Sequence, residues 1–169
     1  MSFVELAKER YSCRKFSDKA VEQAKIDAII EAANAAPTAK NVQPVKVWVI
    51  RSEEALAKIK QCTPFKWMEN VQVVFAVGAT KEGAFVRPSD GKNFAEIDAS
   101  IVATHIMLAV ADLGLATTWV GMFEVNKVHE LFPETEGWDM VALFPVGYAA
   151  EDAAPSERHS IRRNLAEYV

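Results

Sequence analysis

Residues 98–113, DASIVATHIMLAVADL, constrain the fold more than any other stretch of the sequence. Apolar side chains lie on most sides of this segment when it is drawn as a helix, which predicts a long central helix that starts at Asp98 and is capped by Gly114. Residues 71–77, VQVVFAV, are almost wholly apolar and predict a strand buried on both faces. A chain of 169 residues can bury such a helix and strand in one core, so we expect a single domain over residues 1–169.

Further helices are predicted from apolar residues at helical spacing and from capping residues. The clearest stripe is Ile26, Ile29, Ile30 and Ala33, at positions i, i+3, i+4 and i+7. A serine or asparagine just before a helix can accept hydrogen bonds from its free N–H groups. The predicted helices are residues 2–10 with Ser2 as cap, 21–35, 52–61 with Ser52 as cap, and 126–131 with Asn126 as cap.

Segments rich in β-forming residues predict three more strands, over residues 45–51, 116–121 and 141–148. Pro145 interrupts the last of these, which predicts an edge strand or a bulge. Residues 80–95 contain glycines, a proline and charges of both signs, and they predict a long loop of the kind that is often functional or mobile. Helices and strands alternate, but the pattern leaves the direction of the strands open.

The composition excludes several classes of protein. Half of the residues are hydrophobic and a quarter are charged, as in ordinary globular proteins. The net charge of −4 argues against nucleic acid as the main partner. No run of apolar residues is long enough to span a membrane, and the start of the chain does not resemble a signal peptide. Two cysteines without CxxC spacing are typical of reduced thiols, so we expect a soluble cytoplasmic protein.

Familiar catalytic and metal-binding motifs are absent from the sequence. It contains no phosphate-binding P-loop, no GxGxxG and no GxSxG. His105, His129 and His159 are far apart and no cysteine stands at metal-ligand spacing, so no metal site is predicted. His105 is expected to be a hydrogen-bonded core or interface residue. Cys13 lies among cationic residues and would be reactive if it were exposed, but no base can be assigned to it.

Two basic segments lie at opposite ends of the acidic chain, residues 10–16 (RYSCRKF) and 158–163 (RHSIRR). They are either two solvated surface patches or two halves of one anion site. In an extended segment Arg10, Ser12 and Arg14 would face the same ligand, because alternate side chains share a side. Arginine forks are well suited to a phosphate.

Residues 37–44, PTAKNVQP, form a predicted loop between a helix and a strand. Asn41 and Gln43 carry amide groups that can bind the carbonyl and imide edges of a ring. The alternative interpretation is ordinary turn chemistry, in which proline and asparagine are common. A phosphorylated planar cofactor held without covalent bonds is the chemistry that fits both this loop and the basic segments.

Taken in order, RYSCRKF, APTAKNVQP, the run from Asp98 through LGLATTWVG, VGY and the basic end of the chain resemble the FMN-dependent nitroreductase family. The likeness covers nearly the whole chain and is greatest to the short bacterial members. It implies an α+β fold with a central, mostly antiparallel sheet flanked by helices. It also implies an intertwined homodimer with FMN bound between the subunits.

The resemblance also implies which residues bind the cofactor. The first block and the C-terminal arginines would hold the FMN phosphate and the pyrimidine edge of the ring, and they are Arg10, Tyr11, Ser12, Arg14, Arg162 and Arg163. The second block would line the flavin from the partner subunit, and it comprises Pro37, Thr38, Ala39, Asn41 and Gln43. A backbone N–H of Val120 or Gly121 would meet ring atom N5, and Lys66 would lie near N1 and O2.

The function implied by the family is transfer of a hydride from NADH or NADPH, through FMN, to a nitroaromatic, a quinone or a similar acceptor by a ping-pong mechanism. No protein residue need be catalytic, since the flavin carries the chemistry. Val45, where the family often has an aromatic residue, and the pair Thr104–His105 depart from the common pattern and leave the acceptor open.

Three alternatives stay open from the sequence. The chain could bind or store flavin without turnover, or use it in another reaction such as reductive dehalogenation. A structural or interaction protein whose basic ends bind an acidic partner is the third, and it would be colourless. The preferred nicotinamide donor is likewise undecided, because several surface cations could contact a 2′-phosphate.

Overall fold

The computed structural model describes residues 1–167 and residue 169, and its centre is a four-stranded sheet in the order β1-β2-β4-β3. All three pairs of neighbouring strands are antiparallel, which confirms the expected α+β fold with an antiparallel sheet. The strands are β1 (Val45–Ile50), β2 (Val73–Ala79), β3 (Ala116–Thr117) and β4 (Asp139–Gly147).

The helices of the described part lie close to the predicted positions. Ser2 caps the first helix through a reciprocal pair of bonds: its Oγ accepts from the Glu5 N–H at 3.3 Å, and its own N–H donates to Glu5 Oε2 at 2.6 Å. Ser52 Oγ accepts from the Ala55 N–H at 3.2 Å. The helices are α1 (Phe3–Glu9), α2 (Gln23–Asn34), α3 (Glu53–Gln61), α4 (Ala95–Asp112) and α5 (Val125–Leu131).

Both faces of β2 are buried, as its apolar sequence predicts. Phe75 and Val77 belong to a core with α2 and α4, whereas Val74 and Ala76 belong to a second core with α3 and α5. Successive side chains of a strand point to opposite faces, so one strand supplies both cores. The sheet therefore lies between two helical layers.

Helix α4 begins at Ala95, three residues before the predicted start at Asp98. Its N-cap, Phe94, makes no side-chain capping bond, and the side chain of Asn93 accepts a hydrogen bond from the Ala95 N–H at 2.9 Å. At the other end Gly114 has a φ of +69° and caps the helix as predicted. Between these ends α4 packs one face against α2 and the sheet, whereas Ile97, Ile101 and Leu108 on its other sides are half-exposed.

Strand β4 is not an edge strand, so that alternative was wrong. The pairing of β2 with β4 shifts register between Val77 and Gly78 of β2, so the bulge lies there and not at Pro145. The pairs 116–147, 117–146 and 120–143 share one register, which places Thr118 opposite Pro145. Since proline has no N–H to donate, the ladder breaks there. This break explains why β3 covers two residues and not the predicted 116–121.

Two smaller predictions need correction or refinement. Helix α5 is preceded by Glu124, so Asn126 lies inside the helix and is not its cap. Residues 80–94 form the expected long loop, but its tip is closed by a bridge between Val86 and Asn93 and by an ion pair between Arg87 and Asp90.

The packing of side chains around the bulge can be tested by a substitution at Gly78. A Cβ at this position would lie 2.9 Å from Cζ3 of Trp48, whose ring also packs edge-on against Trp138. We expect Gly78→Ala to lower the free energy of unfolding by about 1–3 kcal/mol through overpacking, measured by denaturant unfolding. In a Trp48→Leu background the same substitution should cost much less. Equal costs in the two backgrounds would show that the ring is not the cause.

Candidate functional site

The first basic segment is an extended strand-like stretch held between two parts of the sheet. Ser12 forms a parallel bridge with Thr117, and the Cys13 N–H donates to the Thr117 carbonyl at 3.0 Å. Further along, Phe16 forms a bridge with residue 149, and residues 15 and 17 exchange backbone bonds with residues 150 and 148. The backbone position of the arginines is therefore set by β3 on one side and by the chain after β4 on the other.

The side chains of this segment divide into a buried set and an accessible set. Cys13 and Phe16 are buried, Arg10 and Ser12 are half-buried and Arg14 is exposed. Among the described residues, Arg10 and Arg14 form no ion pair with a carboxylate. Their guanidinium groups are thus available to an anion.

The C-terminal basic segment, residues 158–163, lies next to the first basic segment. The ring of His159 packs edge-on against the ring of Tyr11, with 6.4 Å between centroids. Arg162 folds back onto the backbone, donating from Nη1 to the carbonyls of His159 at 2.5 Å and Ile161 at 2.8 Å. Arg162 and Arg163 are exposed and, within the described part of the chain, unpaired with acids. The two ends of the sequence therefore meet in one region of the surface.

Two more predicted elements border this region. Val120 is anchored by paired backbone bonds with Leu143 of 2.9 and 3.0 Å, and Gly121 next to it is exposed. The segment that carries Lys66 lies alongside, because the Thr63 hydroxyl donates to the Met122 carbonyl at 3.2 Å. Lys66 itself is exposed, in a single 3-10 turn, Lys66–Met68, within the predicted loop.

The loop of the second block holds an uncommon backbone conformation. Lys40, Asn41 and Gln43 have φ values of 52°, 56° and 57°, in the left-handed region that non-glycine residues seldom occupy. Thr38 Oγ1 accepts from the Gln43 N–H at 3.0 Å, and the Gln43 amide donates to Asn41 Oδ1 at 3.1 Å. Both amide side chains are exposed and held together by this bond.

The second block lies at the opposite end of α4 from the other predicted residues. Its Ala39 N–H donates to Oδ1 of Asp98, in the first turn of α4, at 2.9 Å. Arg10 and Tyr11, by contrast, share a cavity of about 160 Å³ with Ala111, in the last turn. At a rise of roughly 1.5 Å per residue, the two ends are about 20 Å apart along the helix. Within one chain, this loop therefore lies apart from the basic segments that meet at Tyr11 and His159.

Buried polar groups mark positions that the sequence analysis did not single out. Asp98 is 1% exposed, and its Oδ2 atom has no partner among the described residues; the hydroxyl of Thr117 is buried and unpartnered as well. An acid in the first turn of an otherwise apolar helix is the signal that could have identified Asp98. Thr117 gave no such signal, since threonine is ordinary in a strand.

The thiol of Cys13 is not exposed, so the condition for its reactivity is not met. Cys13 is 1% exposed, and its Sγ donates to the Lys15 carbonyl at 3.1 Å. Burial raises the pKa of the Cys62 thiol. Burial also raises the pKa of the Tyr11 hydroxyl, with a smaller contribution from Cys13, so Tyr11 is a neutral hydrogen-bond donor near pH 7.

No helix in the described part of the chain is long and apolar enough to cross a membrane. The described residues also contain no cluster of three or more His, Cys, Asp or Glu side chains that could hold a metal ion.

Comparison with known proteins gives consistent matches. The sequence profile described as "Nitroreductase family" matches residues 7–64 and 59–148. A relative from Methanothermobacter thermautotrophicus, provisionally named NADH dehydrogenase/NAD(P)H nitroreductase, is 31% identical over 156 residues, covering 90% of this chain and 80% of the relative. The crystal structure of a nitroreductase family protein from Clostridium difficile has a TM-score of 0.90 and 35% identity, covering 100% of this chain and 97% of the other. A structure from Exiguobacterium sibiricum, provisionally named a nitroreductase and in complex with FMN, has a TM-score of 0.85 and 23% identity, with 100% and 96% coverage.

The burial of both cysteines predicts slow thiol chemistry. Native protein should react slowly with Ellman's reagent near pH 8, because burial shields both sulfurs from the reagent. Both thiols should react at once in guanidinium chloride, because unfolding exposes them. Absorbance at the nitrothiobenzoate band measures both states. A fast native reaction that persists in Cys62→Ser would show that Cys13 is accessible and contradict the burial of the first basic segment.

Proposed function

This chain belongs to the nitroreductase family, and we propose that it is an FMN-dependent oxidoreductase that takes a hydride from NADH or NADPH and reduces small nitroaromatic, quinone or similar acceptors. The names of its relatives support the nicotinamide donor, and a neighbour of the same fold that contains FMN supports the cofactor. We propose a single FMN-binding domain over residues 1–169.

The observation that carries this proposal is the group of arginines without acidic partners around Tyr11. Arg10, Arg14, Arg162 and Arg163 come from opposite ends of the sequence to one region, where His159 packs on Tyr11. Like charges repel, so such a group is costly unless an anion binds there. A phosphate dianion accepts charge-assisted, often bidentate bonds from arginine, and the donor set therefore fits the phosphate of FMN.

The position of the second block supports a homodimer. Asn41 and Gln43 lie at the end of α4 that is remote from these arginines, so they would reach the same flavin only from a second copy of the chain. Exposed apolar side chains favour the same arrangement, since Phe3 is 69%, Ile161 70% and Leu165 72% exposed in a single chain. A two-fold pairing of antiparallel α4 helices would complete two identical sites.

In the proposed mechanism, FMN supplies the hydride-transfer chemistry when bound, and the residues of this chain hold and tune it. The arginines and Ser12 would bind the phosphate, and the amides of Asn41 and Gln43 would bind the polar edge of the ring. The backbone N–H of Gly121 would face the reactive edge, because the Val120 N–H already donates to the Leu143 carbonyl. Lys66 would place a positive charge where reduction adds negative charge, which favours the reduced state.

Donor and acceptor would use the same pocket in turn, which implies ping-pong kinetics. Val45 is smaller than an aromatic residue and lines an apolar cavity of about 240 Å³ with Thr38 and Gln43. The space beside the second block therefore suits flat, weakly polar acceptors. Flavin storage without turnover and other flavin reactions are the alternatives that kinetics must separate from this one.

The visible absorption spectrum tests the proposal most directly. Purified protein, loaded with FMN if necessary and freed of excess by gel filtration, should be yellow. It should bleach when NADH or NADPH is added without oxygen, because hydride transfer reduces the bound ring. The nucleotide that bleaches it faster identifies the donor, and a quinone or nitroaromatic added afterwards should restore the colour.

Two outcomes would overturn parts of this proposal. A colourless protein that fails to bind added FMN would show that the arginines do not form a phosphate site. A yellow protein that neither nucleotide reduces would keep the cofactor and replace the reductase by a storage role or by another reductant.

The arginines can be tested individually. We expect Arg10→Ala and Arg162→Ala each to raise the Kd for FMN roughly ten- to hundredfold, as expected for the loss of one charged hydrogen bond. Arg51→Ala is a matched control, since Arg51 is exposed and bonds Gln23 elsewhere on the surface. Quenching of FMN fluorescence measures binding. Full retention of flavin by Arg162→Ala after dialysis would show that its assignment is wrong.

A further inference from the structure

Asp98 is a buried carboxylate with an incomplete set of partners. It is 1% exposed, and its Oδ1 accepts one hydrogen bond, from the Ala39 N–H at 2.9 Å. Its Oδ2 is buried and has no hydrogen-bond partner among the described residues, and none of the described cations forms an ion pair with it. An acid in this environment needs an explanation, because burying a carboxylate without a cation is costly.

Stability of the core does not explain it. Asp98 lies in the first turn of α4, where the helix dipole offsets only part of the cost of a buried negative charge. An apolar side chain of similar size would fill the same space without that cost. Among the described residues, the hydrogen-bond partner of the carboxylate is the backbone of the second block.

The second block needs an external support. Lys40 and Asn41, directly after Ala39, and Gln43 all have positive φ values, and each such residue is strained. Inside the loop, Thr38 Oγ1 accepts from the Gln43 N–H and so closes the loop on itself, but that bond does not fix the loop to the rest of the fold. The bond from Ala39 to Asp98 ties the loop to a rigid central helix.

We propose that Asp98 is a positioning residue that holds residues 38–43 in their strained conformation and so aligns the Asn41 and Gln43 amides for the flavin ring before it binds. Because the loop is already ordered, the binding of FMN would not have to include the free-energy cost of ordering it. The role in flavin binding rests on the proposed function, whereas the role in holding the loop does not.

Hydrogen–deuterium exchange of the flavin-free protein, resolved amide by amide, tests the loop directly. In Asp98→Ala the amides of Ala39, Asn41 and Gln43 should exchange roughly ten- to hundredfold faster than in the wild type, since a charge-assisted bond is lost. In Asp98→Asn the acceptor is kept but its charge is lost, so the acceleration should be intermediate. Amides of β2 should keep their wild-type rates relative to global unfolding in both variants.

Titration with FMN provides the second measurement. The Kd should rise in the same order, from wild type through Asp98→Asn to Asp98→Ala. Asp27→Ala is the matched control, because Asp27 is an exposed helical aspartate, in α2, that accepts a hydrogen bond from the Gln23 side chain. It should leave both the loop exchange and the Kd at wild-type values.

The outcomes separate the two proposals. Unchanged loop exchange in Asp98→Ala would overturn the positioning role whatever the flavin does. Faster loop exchange in a chain whose wild type binds no FMN would keep the support of the loop and overturn the proposed function. Faster loop exchange with an unchanged Kd would show that the conformation of the loop does not matter for flavin. If Asp98→Ala does not fold, Asp98→Asn decides, and wild-type exchange at Ala39 would then refute the proposal.

Discussion

The packing of one face of α4 in the larger core is the constraint on which the rest of the structure depends. The helix packs against α2 and against β2 and β4, so it covers one face of the sheet and determines where α2 lies. It also sets the distance between the two halves of the site. The basic segment and the Asn41 loop are attached near opposite ends of one rigid rod, and a rod of about 20 Å cannot bend to bring them together. Completion of the proposed flavin site by a second chain is therefore a consequence of core packing.

Local signals in the sequence predicted much of this fold. The caps at Ser2, Ser52 and Gly114 depend on neighbouring residues alone, and each was found where expected. The convergence of the two basic segments was one of two open interpretations, because no local pattern indicates that Tyr11 and His159 touch. The family resemblance, rather than periodicity, supplied the direction of the strands.

The errors occurred where a residue's role depends on its partner across the sheet. Proline in a strand predicts an edge, because an internal strand needs donors on both sides. In β4, however, Pro145 turns its nitrogen toward the side where β3 has ended, and β2 still pairs fully on the other side. Asp98 is a similar case. Its sequence neighbours suggested a helix start, whereas its significance comes from Ala39, which is distant in sequence. Neither the strand pairing around Pro145 nor the bond between Ala39 and Asp98 can be predicted from a single stretch of the sequence.

The gap opposite Pro145 has a mechanical consequence. Beyond Thr117, the described backbone bonds to β4 are the two between Val120 and Leu143, and the Trp119 ring packs edge-on against Phe144. Thr118 and Val120 are buried, so side-chain packing holds this segment to the sheet where the row of backbone bonds is interrupted. The absence of one N–H group in β4 thus replaces backbone pairing by side-chain packing in the segment that is proposed to face the ring.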